Sequence, residues 1–97
     1  MYDIEYTPTA IADLTYFHKH EQVTILEGIE VQLRHEPTTE TRNRKRMREN
    51  AVAEWELRIS EFRVLYDVDN EVRIVEIRRI AEKQNNAFFF QGKREDV

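Results

Sequence analysis

The residues of this chain that could do chemistry are cations and carboxylates. Arg42, Arg44, Lys45, Arg46 and Arg48 fall within seven positions that hold no acid. Side chains of this kind at that density contact phosphates or carboxylates through charge-assisted hydrogen bonds and counterion release. A second basic group, Arg78, Arg79 and Lys83, closes a Val/Ile-rich stretch, and Glu54, Glu56, Arg58 and Arg63 lie between the two. Taken singly, each is a solvent-facing charge; Arg58 and Arg63 would merely pair with Glu54, Glu56 or Glu76 across a sheet. Convergence of the two basic groups on one side would instead make a docking surface for a polyanion or an acidic partner segment.

Other chemistries are excluded. The chain has no cysteine, so it has no disulfide, thiolate nucleophile or zinc knuckle, and its two glycines rule out a glycine-rich phosphate loop. His18 and His20, two apart, point about 200° from one another on a helix and cannot readily share a metal. His35 reads as a cation at a helix C-terminus. No metal site and no cofactor are expected.

The elements that must position the charges are read from periodicity. Trp55, Leu57 and Ile59 alternate with Glu54, Glu56 and Arg58, and Phe62, Val64 and Tyr66 alternate with Arg63 and Asp67. With only Ser60 and Glu61 between them, these are two half-buried strands of a tight antiparallel hairpin whose apolar face needs a cover. The cover comes from the N-terminal half. Tyr2, Ile4 and Tyr6 make a first strand, and Thr7-Pro8 caps and starts a helix carrying Ala10, Ile11, Leu14 and Phe17 to about His20. A second helix carries Val23, Leu26, Ile29 and Leu33 to His35, with Gly28 marking a close helix contact. Residues 38–52 read as a long basic loop, Val72 to Ile80 as a fourth strand, Phe88–Phe90 as a short strand or docking segment, and 91–97 as a charged tail. Because Val72, Ile74 and Ile80 share one parity and Val75 and Ile77 the other, the fourth strand is expected to be covered on both faces. The order β-α-α-β-β-β predicts an α+β fold, a mainly antiparallel sheet covered on one face by a helix pair. The hairpin charges would lie on its other, partly open face.

At 97 residues the chain is expected to be one domain, 1–97, with 40% hydrophobic and 35% charged residues. No apolar run approaches membrane-spanning length and the N-terminus lacks a secretion signal, which predicts a soluble protein of the cytoplasm. A net charge of -4 argues against a general nucleic-acid binder, although the basic segment is local.

The run from Trp55 to Val68, after an Asn/Arg/Lys-rich loop and before a Val/Ile strand, resembles the RelE/ParE superfamily of type II toxin–antitoxin toxins from strand one to about Phe90. The resemblance implies a toxin groove on the sheet and neutralisation by a cognate antitoxin segment wrapped around the toxin. It also implies one of two activities: ribosome-dependent mRNA cleavage, as in the RelE branch, or non-nucleolytic poisoning of DNA gyrase, as in ParE. Arg63 matches the family's phosphate-contacting arginine, and Lys83 the basic residue proposed to stabilise or protonate the leaving group. Two positions depart from the nuclease pattern: Glu54 and Glu56 stand where RelE-like nucleases carry lysines, and Phe89 where they carry a tyrosine or histidine. RNA cleavage needs a base, an acid and cations for the phosphorane charge; Glu54 or Glu56, Lys83 and Arg63 would supply them. Translation inhibition by mRNA cleavage is the leading expectation, with a gyrase inhibitor or a degenerate member retaining only antitoxin binding as alternatives.

Overall fold

The computed structural model describes residues 1–97. Its elements are β1 (Asp3–Tyr6), α1 (Pro8–Tyr16), α2 (Lys19–Leu33), β2 (Arg44–Arg46), β3 (Trp55–Ile59), β4 (Phe62–Asp69), β5 (Ile74–Gln84), β6 (Ala87–Phe90) and β7 (Lys93–Glu95). They form one α+β layer pair: a seven-stranded sheet in the order β2-β3-β4-β5-β6-β7 under two helices, with β1 parallel to β5. The long β5 pairs β1 along Ile74–Ile77 and β6 along Glu82–Gln84. No helix is long and apolar enough to cross a membrane.

The N-terminal cap forms as its chemistry requires. Thr7 Oγ1 accepts from Ala10 N at 3.0 Å, and Pro8 occupies the first turn. α1 ends sooner than its apolar spacing suggests, at Tyr16, because His18 begins a new helix and its backbone N–H donates to Glu21 Oε1 at 2.9 Å. α2 likewise stops at Leu33, so the cation at its C-terminal cap is Arg34 and His35 lies beyond it. Arg34 returns the helix end to β1, its NH1 donating to Tyr2 O at 2.9 Å.

Fifteen buried residues form the main core between helices and sheet, including Leu14, Phe17, Leu33, Trp55, Leu57 and Tyr66, with Leu26 and Ile59 packed at its margin. Two expected core positions are instead exposed, Ile11 and Val23: α1 buries Ala10, Asp13 and Leu14, and α2 buries the row Ile25, Ile29 and Leu33 at i, i+4 and i+8. Trp55 stacks on Tyr66, centroids 6.2 Å apart, and Phe17 meets Phe62 edge-on at 5.1 Å. The Tyr66 hydroxyl donates to Pro37 O at 2.7 Å, and burial raises its pKa well above the ordinary tyrosine value. Gly28 makes its close contact with a strand rather than a helix: a Cβ there would stand 2.5 Å from Ile59 Cδ1.

The parity change within β5 is a β-bulge. Leu65 pairs with Arg79 and Tyr66 with Ile77, which leaves Arg78 as the extra residue and keeps Val75, Ile77 and Ile80 all in the helix-side core. The opposite face carries only a small cluster of Ala53, Leu65, Ala81 and Phe90.

Two stretches without apolar alternation are also strands. β2 lies inside the basic loop, paired antiparallel with β3, and β7 lies in the charged tail, paired with β6. The outward edge of β2 is capped: Arg44 N donates to Thr41 Oγ1 at 3.2 Å and Arg46 N to Glu40 Oε1 at 3.1 Å, while Thr41 N donates back to Arg44 O at 2.9 Å.

Candidate nucleic-acid interface

The alternation that buries Trp55, Leu57, Val64 and Ile80 on one face puts Glu56, Arg58, Arg63 and Lys83 on the other. There they line a cleft of about 480 Å³ that contains no hydrophobic side chain. β2 adds Lys45, opposite Glu56 in the ladder, and the segment before it adds Arg42 and Asn43. Asn85 and Asn86 close the far end from the β5–β6 turn, where φ of 49° and 67° at successive positions suits asparagine. Five cations thus face one carboxylate in a chain whose net charge is -4.

Arg63 is the most constrained of them. Its NH1 donates to Ser60 O and Phe62 O, both at 2.8 Å, and its Nε lies 3.3 Å from Glu56 Oε2. NH2 makes no hydrogen bond within the protein, and the residue lines the cleft. Burial lowers the Arg63 pKa, Glu56 raises it and Arg58 lowers it again, yet a guanidinium so far above neutrality stays charged. Arg58 stands directly across the ladder from Arg63, an arrangement that destabilises a sheet. Arg42, Lys45, Arg58 and Lys83 have no carboxylate within salt-bridge distance. Structural ion pairing therefore does not account for them.

The remaining charges are placed elsewhere. Arg44 is buried, not free to dock a partner: Nε donates to Thr39 O and NH1 to Gln32 O and Oε1, each at 2.8 Å. Arg46 pairs with Glu54 at 2.9 Å and lies 5.6 Å from the Trp55 ring centroid, so both Arg46 and Glu54 stand outside the cleft. Arg48 borders a neighbouring groove. The second basic group does not converge as a unit, since only Lys83 enters the cleft. Arg78, the bulge residue, pairs with Glu76 at 3.0 Å. Arg79 is held by Asp13, a fully buried carboxylate of α1, with Nε 2.7 Å from Oδ2. Asp13 also accepts from Ile80 N at 3.0 Å and Gln91 Nε2 at 2.7 Å, tying α1 to β5 and the β6–β7 turn. The hydrogen bond from Arg79 to Asp13 holds the Arg79 guanidinium above its ordinary pKa.

Three lining residues were not evident from charge, namely Asn43, Asn85 and Asn86; the Asn-Asn dipeptide signals its turn but not its place at the cleft. On β6, Phe88 rather than Phe89 stands beside the cleft, opposite Lys83 in the ladder and with Lys83 Nζ 5.0 Å from its ring centroid. The cleft contains neither histidine nor tyrosine.

The family model for the ParE toxin of the type II toxin–antitoxin system parDE matches residues 4–86. Among solved structures, the chain is similar to one from the RelBE2 toxin–antitoxin complex of Mycobacterium tuberculosis: 26% identity over 84% of this chain and 98% of that one, TM-score 0.71. It shares its fold with one from the archaeal RelE–RelB complex of Pyrococcus horikoshii OT3, at 16% identity over 87% and 97% of the two chains and TM-score 0.69. No curated protein matches.

Proposed function

Because the chain belongs to the ParE toxin family of type II toxin–antitoxin systems, within the RelE/ParE superfamily, we propose that it acts in the cytoplasm by cutting translated message in the cation cleft. A cognate antitoxin holds it inactive. The observation that carries this reading is the convergence of Glu56, Arg63 and Lys83, with Arg42, Lys45 and Arg58 around them. A scissile phosphate entering the cleft competes with Glu56 for Arg63 and frees the carboxylate. Glu56 then takes the proton from the 2′-hydroxyl, the 2′-oxygen attacks phosphorus, Lys83 protonates the departing 5′-oxygen, and Arg63 NH2 with Arg58 balances the charge gathering on the phosphorane. A 2′,3′-cyclic phosphate and a 5′-hydroxyl result. The antitoxin segment that fits the same face carries carboxylates for the cleft and apolar anchors for the adjoining patch.

Primer extension on message in expressing cells tests the chemistry. New 5′ ends are expected, with Arg63→Ala reducing them about 10²–10³-fold and Glu56→Gln reducing them without unfolding. The second reading, gyrase inhibition by binding alone, is favoured by the description of the matching family and by the lack of histidine or tyrosine in the cleft. It predicts intact message, inhibited supercoiling, and a Glu56→Gln variant that is unimpaired or stronger, because removing that carboxylate makes the cleft more positive.

A further inference from the structure

The apolar part of the open face takes no part in the cleavage chemistry, yet it adjoins the cation cleft. A second groove, of about 370 Å³, is lined by Met47, Phe88 and Val97 and shares Glu56, Lys83 and Asn86 with the cleft. Its floor rests on Leu65, Ala81 and Phe90, and Met47 and Phe88 pack on that floor while staying partly exposed. Phe88 stacks on Phe90 with centroids 6.1 Å apart and planes at 28°, and Lys83 Nζ sits 5.0 Å from its centroid on the cleft side. The ring therefore stands at the boundary between a cleft with no hydrophobic side chain and a mixed groove that has an apolar side. Arg48, Arg94 and Asn86 border the groove with side chains that make no hydrogen bond or ion pair within the protein; Asn50, by contrast, is fully engaged with Val52, Ala53 and Arg48.

We propose that this groove is a nucleobase subsite. A single strand crosses the ridge at Lys83 and Asn86 with its phosphates in the cation cleft and one unstacked base on Phe88. Every base offers a π face, so stacking alone tolerates any sequence. The Asn86 amide and the free Arg48 and Arg94 guanidiniums supply donors and an acceptor for the base edge. A duplex cannot use the site, because its bases are already stacked and paired. The rim carries both signs, with Glu95 and Asp96 beside Arg48 and Arg94, which favours a base edge over a uniformly acidic peptide. The assignment rests on the cleavage reading only in taking the polyanion to be a nucleic-acid strand.

The test uses fluorescence anisotropy with three probes: a short 2′-O-methyl oligoribonucleotide, which cannot be cut, an abasic strand of equal length, and a duplex. The base-bearing strand is expected to bind about tenfold more tightly than the abasic one. Phe88→Leu, which keeps apolar volume, should remove that difference, while Phe88→Tyr should keep it; melting temperatures confirm that both variants fold. An equal loss for both single strands, no loss, or preference for the duplex overturns the subsite. So does an acidic, leucine-bearing peptide that occupies the groove while the strand does not bind. Base-dependent binding without new 5′ ends in cells removes the cleavage reading alone, and cleavage that is indifferent to Phe88 in a protein lacking base-dependent binding removes the subsite alone.

Discussion

The two faces of the sheet are made by the same strands under opposite rules. On the helix side Trp55, Leu57, Val64 and Tyr66 lie in a fifteen-residue buried cluster. One residue further along, Glu56, Arg58 and Arg63 line a cleft without a single apolar side chain, and two arginines oppose each other in the ladder. The first face stabilises the fold through buried apolar area. The second spends part of that stability on charges that repel one another, a local conflict of the kind found where function is selected over fold.

The largest break in this contrast is on the covered face. Trp55→Ala should lower unfolding free energy by about 3–5 kcal/mol, read as a fall in denaturation midpoint; an unchanged midpoint would deny Trp55 its place in the core. A finer cut compares neighbours within β2. Arg44→Ala should cost about 1–3 kcal/mol by removing a buried guanidinium and with it the hydrogen bonds that hold the carbonyls of Gln32 and Thr39. Lys45→Ala should leave the midpoint unchanged and reduce the salt slope of polyanion binding by about one; the same result for both variants would erase the distinction between the faces. The smallest effect has the opposite sign. Arg58→Ala removes a like charge opposite Arg63 and should stabilise by about 0.2–1 kcal/mol while weakening polyanion binding, so a destabilised variant would show that Arg58 is structural.

The hairpin was legible because period-two alternation runs through both strands, interrupted at the turn, where Ser60 has a φ of 54°, and once within β4 at Leu65, which is buried on the opposite face. The start of α1 was legible from Thr7-Pro8; that of α2 was not, because the apolar spacing of the first helix runs on past Phe17 and hides the cap at His18. β2 was not, since Arg-Lys-Arg has no strand pattern of its own and is extended only because β3 offers it a ladder. The parity of β5 suggested coverage on both faces because a bulge shifts the phase by one residue, and sequence alone does not separate those cases. Within the site, Glu56, Arg58 and Arg63 could be placed on one face by counting along the hairpin, whereas Lys83 lies beyond the expected fourth strand and past the bulge, so only the resemblance pointed to it. Arg44 and Lys45, adjacent cations in an apparent loop, could not be told apart. Nor could Arg79 be seen to belong to Asp13, since the partners stand 66 residues apart in the chain.

The capped edge of β2 bears on how the protein behaves at high concentration. An outer strand with unpaired amides is a template on which another extended chain can add, and repeated addition leads to polymerisation and amyloid-like deposits. Here Thr41 and Glu40 already accept the outward amides of Arg44 and Arg46, so a newcomer would have to displace them first. The lysine and arginines of β2 add electrostatic repulsion to a like strand arriving alongside. Segment 40–41 therefore acts as a gatekeeper, keeping the molecule from growing by strand addition at this end of the sheet.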